Sequence, residues 1–435
     1  MRDPATDLDW RGRAIFAAVL TFAVLHGLLY VATIPPWDLF DEEQHLSYAI
    51  YLIDDQRIPE IDDPVQQRIL ESAVATDRWS AFRIGRPVAP ERNEFGLEGW
   101  SYEAYHPPLY HAMVSPLTLL SASDAWRELY LARLFGLALI LGFAAVSWGY
   151  ARDWLPGANP VVWGTIVVSC SSIPAVAAAA GRVNNDLLAG LLLASGTLMA
   201  SRLIGDRRND QALYVGMIGA AAVLTKGQGA ILLLVAVAAA GLLLYRKQLT
   251  VSMFLLMLAP GIVAMSVWSA WTYTHYDKIN GANAFLDLVG SSRSLGVVDF
   301  TGELWLNSWS SYWGAYDAGT LRWVTGIILL IAVAAGLAGL FAGRDPWHRS
   351  SRGRQRLLLA GVLVAGMLAA LWVANDSGLA HPHGRMLLGL FPALVTLTIA
   401  GIRRLGGDIA AIQVGALTVA LSAVYFLFWY LPFFY

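Results

Sequence analysis

Five short polar clusters interrupt an otherwise apolar chain, and their residue types suit proton transfer and anion binding. The first reads Pro36-Trp37-Asp38-Leu39-Phe40-Asp41-Glu42-Glu43-Gln44-His45. Asp38 is placed as the N-cap of a helix running to about Asp54, on which Asp41 and His45, four apart, share a face. A carboxylate here can take the proton of an attacking hydroxyl. Three acids in a first helical turn equally suit the positive end of the helix dipole. The second cluster, Glu103-Ala104-Tyr105-His106-Pro107-Pro108-Leu109-Tyr110, offers a carboxylate and an imidazole that can bind a metal, orient an acceptor or anchor an interface. The third, Arg182-Val183-Asn184-Asn185-Asp186, is a short turn with both charge signs, and the fourth, Thr225-Lys226-Gly227, sets a lysine between two apolar runs. Such a lysine can bind an anion or simply snorkel to water. The fifth spans 375–385 and ends on Arg385; its His381 and His383 fit no compact four-ligand zinc motif. His26, His111, His275 and His348 read as packing or interfacial residues.

The elements that must position these clusters are membrane helices. Hydrophobic residues make up 57% of the 435 and charged residues 14%, with a mean hydropathy of +0.52. A soluble domain carries about a quarter charged residues. Apolar runs long enough to cross a bilayer as helices fall near 14–34, 128–150, 160–180, 186–204, 211–225, 229–245, 251–273, 321–342, 356–374, 384–402 and 409–431. The fold class is therefore an all-α polytopic membrane protein with about eleven transmembrane helices. The run from Ala14 lacks a small-x-small cleavage site and reads as an uncleaved first span. Cys170 is the only cysteine, which excludes an intramolecular disulfide. No basic stripe for a nucleic-acid partner is present outside short loops.

Loop charge orients the spans. With 107–121 left as a surface helix, the alternating connections after Trp148 hold thirteen basic residues on one side and five on the other. The richer side is cytoplasmic, so the N-terminus is cytoplasmic and the clusters gather on the outer face of the cytoplasmic membrane. Two large outer segments follow. The acidic 35–127 carries 16 of the 32 acids, and 274–320 is rich in Trp, Tyr and Gly. One membrane domain, 1–435, with an elaborated outer face is the simplest description.

At these residues the chain resembles the GT-C superfamily of membrane glycosyltransferases, which includes protein O-mannosyltransferases and lipid A aminoarabinose transferases. The acidic motif at Asp41-Glu42, His106-Pro107-Pro108-Leu109-Tyr110, Val183-Asn184-Asn185-Asp186, Leu224-Thr225-Lys226-Gly227, Tyr312-Trp313-Gly314 and Gly384-Arg385 fall in the superfamily's order. Gly384-Arg385-Met386 departs from the Gly-Arg-Tyr of many bacterial relatives. The resemblance implies outer loops carrying juxtamembrane helices. It also implies a polyprenyl phosphate-linked sugar donor, a glycan, lipid or protein acceptor, and inversion at the anomeric carbon. Asp41 and Glu42 then supply the catalytic carboxylates, and Lys226 and Arg385 bind the lipid phosphate. His45, Glu103, His106 and Asp186 hold substrate or a divalent metal ion, and Tyr312 and Trp313 contact acceptor or sugar. A secondary transporter or lipid-linked sugar flippase is the alternative. Transporters, however, place ionisable groups at the bilayer midplane and are built from repeats. Here those groups sit at span ends, and no repeat is visible.

Overall fold

The computed structural model describes residues 9–37, 41–82, 99–206, 209–289, 296–301, 319–342, 351–376 and 384–434, and side chains within these except at a few positions, Arg385 among them. Asp38, Arg293, Tyr312, Trp313, His348, His381 and His383 lie outside the described residues. The described residues are mostly helical, with an isolated bridge between Pro64 and Trp100 as the one extended pairing among them.

Helix α1, Trp10–Thr33, starts where the Asp9 carboxylate accepts from the Gly12 amide at 2.7 Å, and it stops before Pro35 and Pro36. Four helices follow in the first large connection: α2 (Glu42–Asp54), α3 (Gln67–Ala75), α4 (Arg78–Phe82) and α5 (Leu109–Thr118). At ten residues α5 is about 15 Å long, half a bilayer core, so it does not cross. Next come α6 (Ala125–Trp154), α7 (Pro160–Ser171), α8 (Pro174–Ala180), α9 (Asp186–Asp206), α10 (Asn209–Val223), α11 (Ile231–Tyr245) and α12 (Val251–Tyr276). The chain closes with α13 (Gly281–Val289), α14 (Gly319–Phe341), α15 (Ser351–Asp376) and α16 (Phe391–Tyr425).

Among the described residues seven helical stretches are long and apolar enough to span a bilayer, or eight if the bent pair α7 and α8, 67° apart, counts as one span. Eleven was expected, and the difference has local causes. Helix α10 has 15 residues, and the apolar part of α14 among the described side chains is Leu330–Phe341. The two final expected spans fall within a single stretch, Met386–Phe428, interrupted where Gly407 takes φ 75°.

Small residues let these helices approach at backbone distance, the usual device where lipid removes the hydrophobic drive for helix pairing. A Cβ on Gly401 of α16 would lie 1.6 Å from the Gly336 carbonyl oxygen of α14, and one on Gly136 of α6 would lie 2.0 Å from the Ala180 oxygen at the end of α8. Gly136→Ala should therefore force α6 and α8 apart. The expected loss is about 1–3 kcal/mol, typical of overpacking, read as a lower thermal midpoint of the detergent-purified protein. An unchanged midpoint would show that α8 yields freely.

Helix α6 has 30 residues and is about 45 Å long, so it links both ends of the bundle. One end joins the Asp153 carboxylate to Arg202 of α9 at 2.5 Å, with Arg356 of α15 donating to the Trp154 carbonyl at 3.2 Å. The other end holds the polar clusters read from the sequence.

Candidate active site

The break after α1 sets the site's geometry. Trp37 is fully buried, with φ 58°, and donates its indole N–H to the Ser72 hydroxyl of α3 at 3.1 Å. The chain re-enters helix at Glu42, and Asp41 occupies the N-cap position in the left-handed region at φ 69°, ψ 19°. A helix starting near Asp38 with Asp41 inside it was expected; instead Asp41 stands outside α2, tied to His45 by the backbone bond from the His45 amide to the Asp41 carbonyl at 3.0 Å. An aspartate pays about 1–2 kcal/mol for this conformation unless local bonds offset it. The Tyr102 hydroxyl donates to the Asp41 carboxylate.

The three consecutive acids have separate fates. Glu42 is completely buried and receives the Arg133 guanidinium of α6 in fork geometry, Nε at 2.9 Å and Nη2 at 2.6 Å. Its Oε1 also accepts from the Val183 amide at 2.9 Å. Glu43 is buried in an ion pair with Arg78 of α4. Asp41 keeps partial exposure.

The second cluster folds back onto α2 through the Pro64–Trp100 bridge, where the Val65 amide meets the Gly99 carbonyl at 2.9 Å and the Ser101 amide meets the Asp63 carbonyl at 2.7 Å. A 3-10 turn, Tyr102–Tyr105, then brings Glu103 and His106 to His45. Glu103 lies 3.1 Å from His106 Nε2 and 3.7 Å from His45 Nε2. His45 Nδ1 lies 3.0 Å from Nε2 of His111, which stacks on the Tyr48 ring with centroids 3.8 Å apart. His111 thus joins the cluster rather than packing passively. Burial pushes its imidazole well below the ordinary value, and His45 and His106 push the same way. From the segment that follows α12, Phe285 of α13 stacks on Tyr105 at 5.2 Å.

Asp186 does not join that histidine group. It opens α9, where its amide donates to the Asn184 side-chain oxygen at 3.0 Å, and its carboxylate takes the Lys226 ammonium at 2.5 Å. The same ammonium donates to Asn185 Oδ1 at 3.1 Å. The two halves of the site meet at α5. The Leu109 amide donates to the Leu224 carbonyl at 2.9 Å, and Tyr110, fully buried, bonds the Asn184 backbone and feels the charges of both Glu42 and Asp186. Arg385 lies in a 3-10 helix, Gly384–Leu390, whose Gly389 would place a Cβ 3.1 Å from the Gly190 carbonyl oxygen of α9, one turn beyond Asp186.

Sequence reasoning missed Arg133, Tyr102 and the role of His111. Arg133 carried a usable signal, since an arginine inside an apolar helix is costly and should have prompted a search for its partner. The other two look ordinary in sequence, and only tertiary contact reveals them. Among the described residues no three or more His, Cys, Asp or Glu side chains converge so as to hold a metal ion. The imidazoles instead turn toward one another and toward Glu103.

No family model and no curated protein matches the sequence. Solved structures do match. ArnT from Cupriavidus metallidurans, crystallised bound to undecaprenyl phosphate, aligns with a TM-score of 0.56 at 14% identity, over 93% of this chain and 63% of that one. The chain has the GT-C fold. The Archaeoglobus fulgidus oligosaccharyltransferase, crystallised with Zn and sulfate, aligns with a TM-score of 0.51 at 12% identity, over 94% of this chain and 52% of that one. The chain therefore spans less than two thirds of either protein.

Proposed function

We propose that the protein transfers a sugar from a polyprenyl phosphate-linked donor to an acceptor hydroxyl at the outer face of the cytoplasmic membrane, with inversion at the anomeric carbon. The observation that carries this reading is the fold, matched over 93% of the chain to a structure bound to undecaprenyl phosphate. The site chemistry agrees with it. The acceptor oxygen attacks the anomeric carbon, its proton passes to the Asp41 carboxylate, and the bond from that carbon to the phosphate oxygen breaks. Asp41 suits this role because it is the partly exposed member of the acidic trio, pinned at a helix start by Tyr102. Negative charge grows on the departing polyprenyl phosphate, where Lys226 and Arg385 supply cations. Glu103, His106 and His45 orient the acceptor, and the 312–313 pair contacts acceptor or sugar.

The decisive experiment offers detergent-purified protein a panel of undecaprenyl phosphate-linked pentoses and hexoses and measures release of undecaprenyl phosphate. Release dependent on an added acceptor supports transfer. Movement of the intact lipid-linked sugar across proteoliposomes without cleavage would favour the flippase alternative. That alternative gains nothing from the pairing of polar groups at the two bundle ends.

Eleven spans with a cytoplasmic N-terminus complete the proposal. Reporter fusions after Asp206 and Lys247 are expected to read as cytoplasmic, and one at Asp277 as exterior. A reversed signal at Asp277 would place the site on the wrong face for this donor.

A further inference from the structure

We propose that Arg133 is a positioning residue that holds Asp41 in its reactive geometry through Glu42. This role rests on the transfer reading above. Arg133 is fully buried and donates to both Glu42 oxygens, to the Ile34 carbonyl at 2.7 Å and to the Pro35 carbonyl at 2.7 Å. Those carbonyls follow directly on the last residue of α1, Thr33, where the extended chain makes no helical bonds for its oxygens. Glu42 in turn holds the Val183 amide at 2.9 Å. One guanidinium–carboxylate pair therefore fixes three chain segments: the end of α1, the first residue of α2 and the turn leading into α9.

Asp41 sits between two of those anchors. The Pro35 carbonyl is held on its N-terminal side and the Glu42 side chain on its C-terminal side, and Asp41 itself takes φ 69°. Released from either anchor, the residue can relax to the right-handed region and swing its carboxylate away from the acceptor. The Val183 contact carries the register further, because Asp186, partner of Lys226, is three residues on. A buried ion pair is weak evidence for stability, since apolar replacements of such pairs are often neutral. Its location, bracketing the catalytic aspartate, is what argues for positioning. Lysine cannot substitute, because its single ammonium lacks the planar fork that reaches four acceptors.

The test is a functional double-mutant cycle. Arg133→Lys is expected to lower kcat at saturating donor by about 10- to 100-fold, the scale of a misplaced catalytic group. In the Asp41→Asn background the same change should alter kcat by less than about 2-fold, because the group being positioned is already lost. Glu42→Gln, which keeps the shape of the carboxylate, is carried in parallel in case Arg133→Lys folds poorly. Hydrogen exchange supplies a readout independent of turnover: the amides of residues 42–45 and of Val183 should exchange faster together in Arg133→Lys. Equal losses in both backgrounds, or unchanged exchange at Val183, would overturn the positioning role alone. No release of undecaprenyl phosphate by the wild-type protein from any donor would overturn the transfer reading itself.

Discussion

Asp41→Asn is expected to reduce sugar transfer by about 10²-fold or more while leaving the protein folded. The magnitude follows from the loss of a general base, which typically contributes 10²–10⁴-fold. The substitution keeps the side chain's size and its ability to accept from the Tyr102 hydroxyl. Asparagine also tolerates the left-handed backbone observed at φ 69° at least as well as aspartate does. Stability should therefore hardly change, and a loss of turnover can be assigned to chemistry. Asp41→Ala makes the contrasting control, because it removes the Tyr102 partner and should cost stability as well. The measurement is release of undecaprenyl phosphate under saturating donor, with thermal unfolding in parallel. Wild-type turnover in the asparagine variant would move the base elsewhere, and Asp186 would be the next candidate despite its pairing with Lys226.

Much of this architecture is readable from residues. The Pro35-Pro36 stop and the helix to Asp54 rest on local rules that tertiary contacts leave intact. Loop charge puts Asp41, His106, Asp186 and Lys226 on one side of the membrane, and among the described residues their clusters touch where Val183 donates to Glu42 and Leu109 to Leu224. What stayed hidden is partnership. Nothing in Asp41-Glu42-Glu43 says that the second acid meets Arg133, 91 residues on, while the third meets Arg78. His111 looked idle because its partner, His45, is 66 residues away. The eleven apolar runs of the sequence and the seven long apolar helices among the described residues differ for a physical reason too, because hydropathy registers apolar length but not a bend of 67° or a glycine break at 407.

Lys226→Gln is expected to weaken binding of undecaprenyl phosphate by about 10-fold or more. A hydrogen bond to a charged group contributes about 1.5–3 kcal/mol, and 1.4 kcal/mol corresponds to a factor of ten. Stability alone cannot decide the residue's role. The Lys226 ammonium holds the Asp186 carboxylate at 2.5 Å, with side-chain exposures of 13% and 4%, so removing either member breaks a buried pair. Asp186→Asn separates the possibilities. If Lys226 serves only to hold Asp186, both variants should lose similar stability and bind the lipid phosphate alike. If Lys226 serves the phosphate, Asp186→Asn should bind undecaprenyl phosphate at least as well as wild type, because a competing carboxylate has been neutralised. Only Lys226→Gln should then fail. Arg385→Lys extends the test, since arginine offers a phosphate two parallel donors that lysine cannot copy. It should remain impaired despite keeping its charge. The readout is affinity for undecaprenyl phosphate in detergent, measured beside the thermal midpoint of each variant. Equal affinities for Lys226→Gln and Asp186→Asn would return Lys226 to a purely structural role and leave the phosphate to other residues.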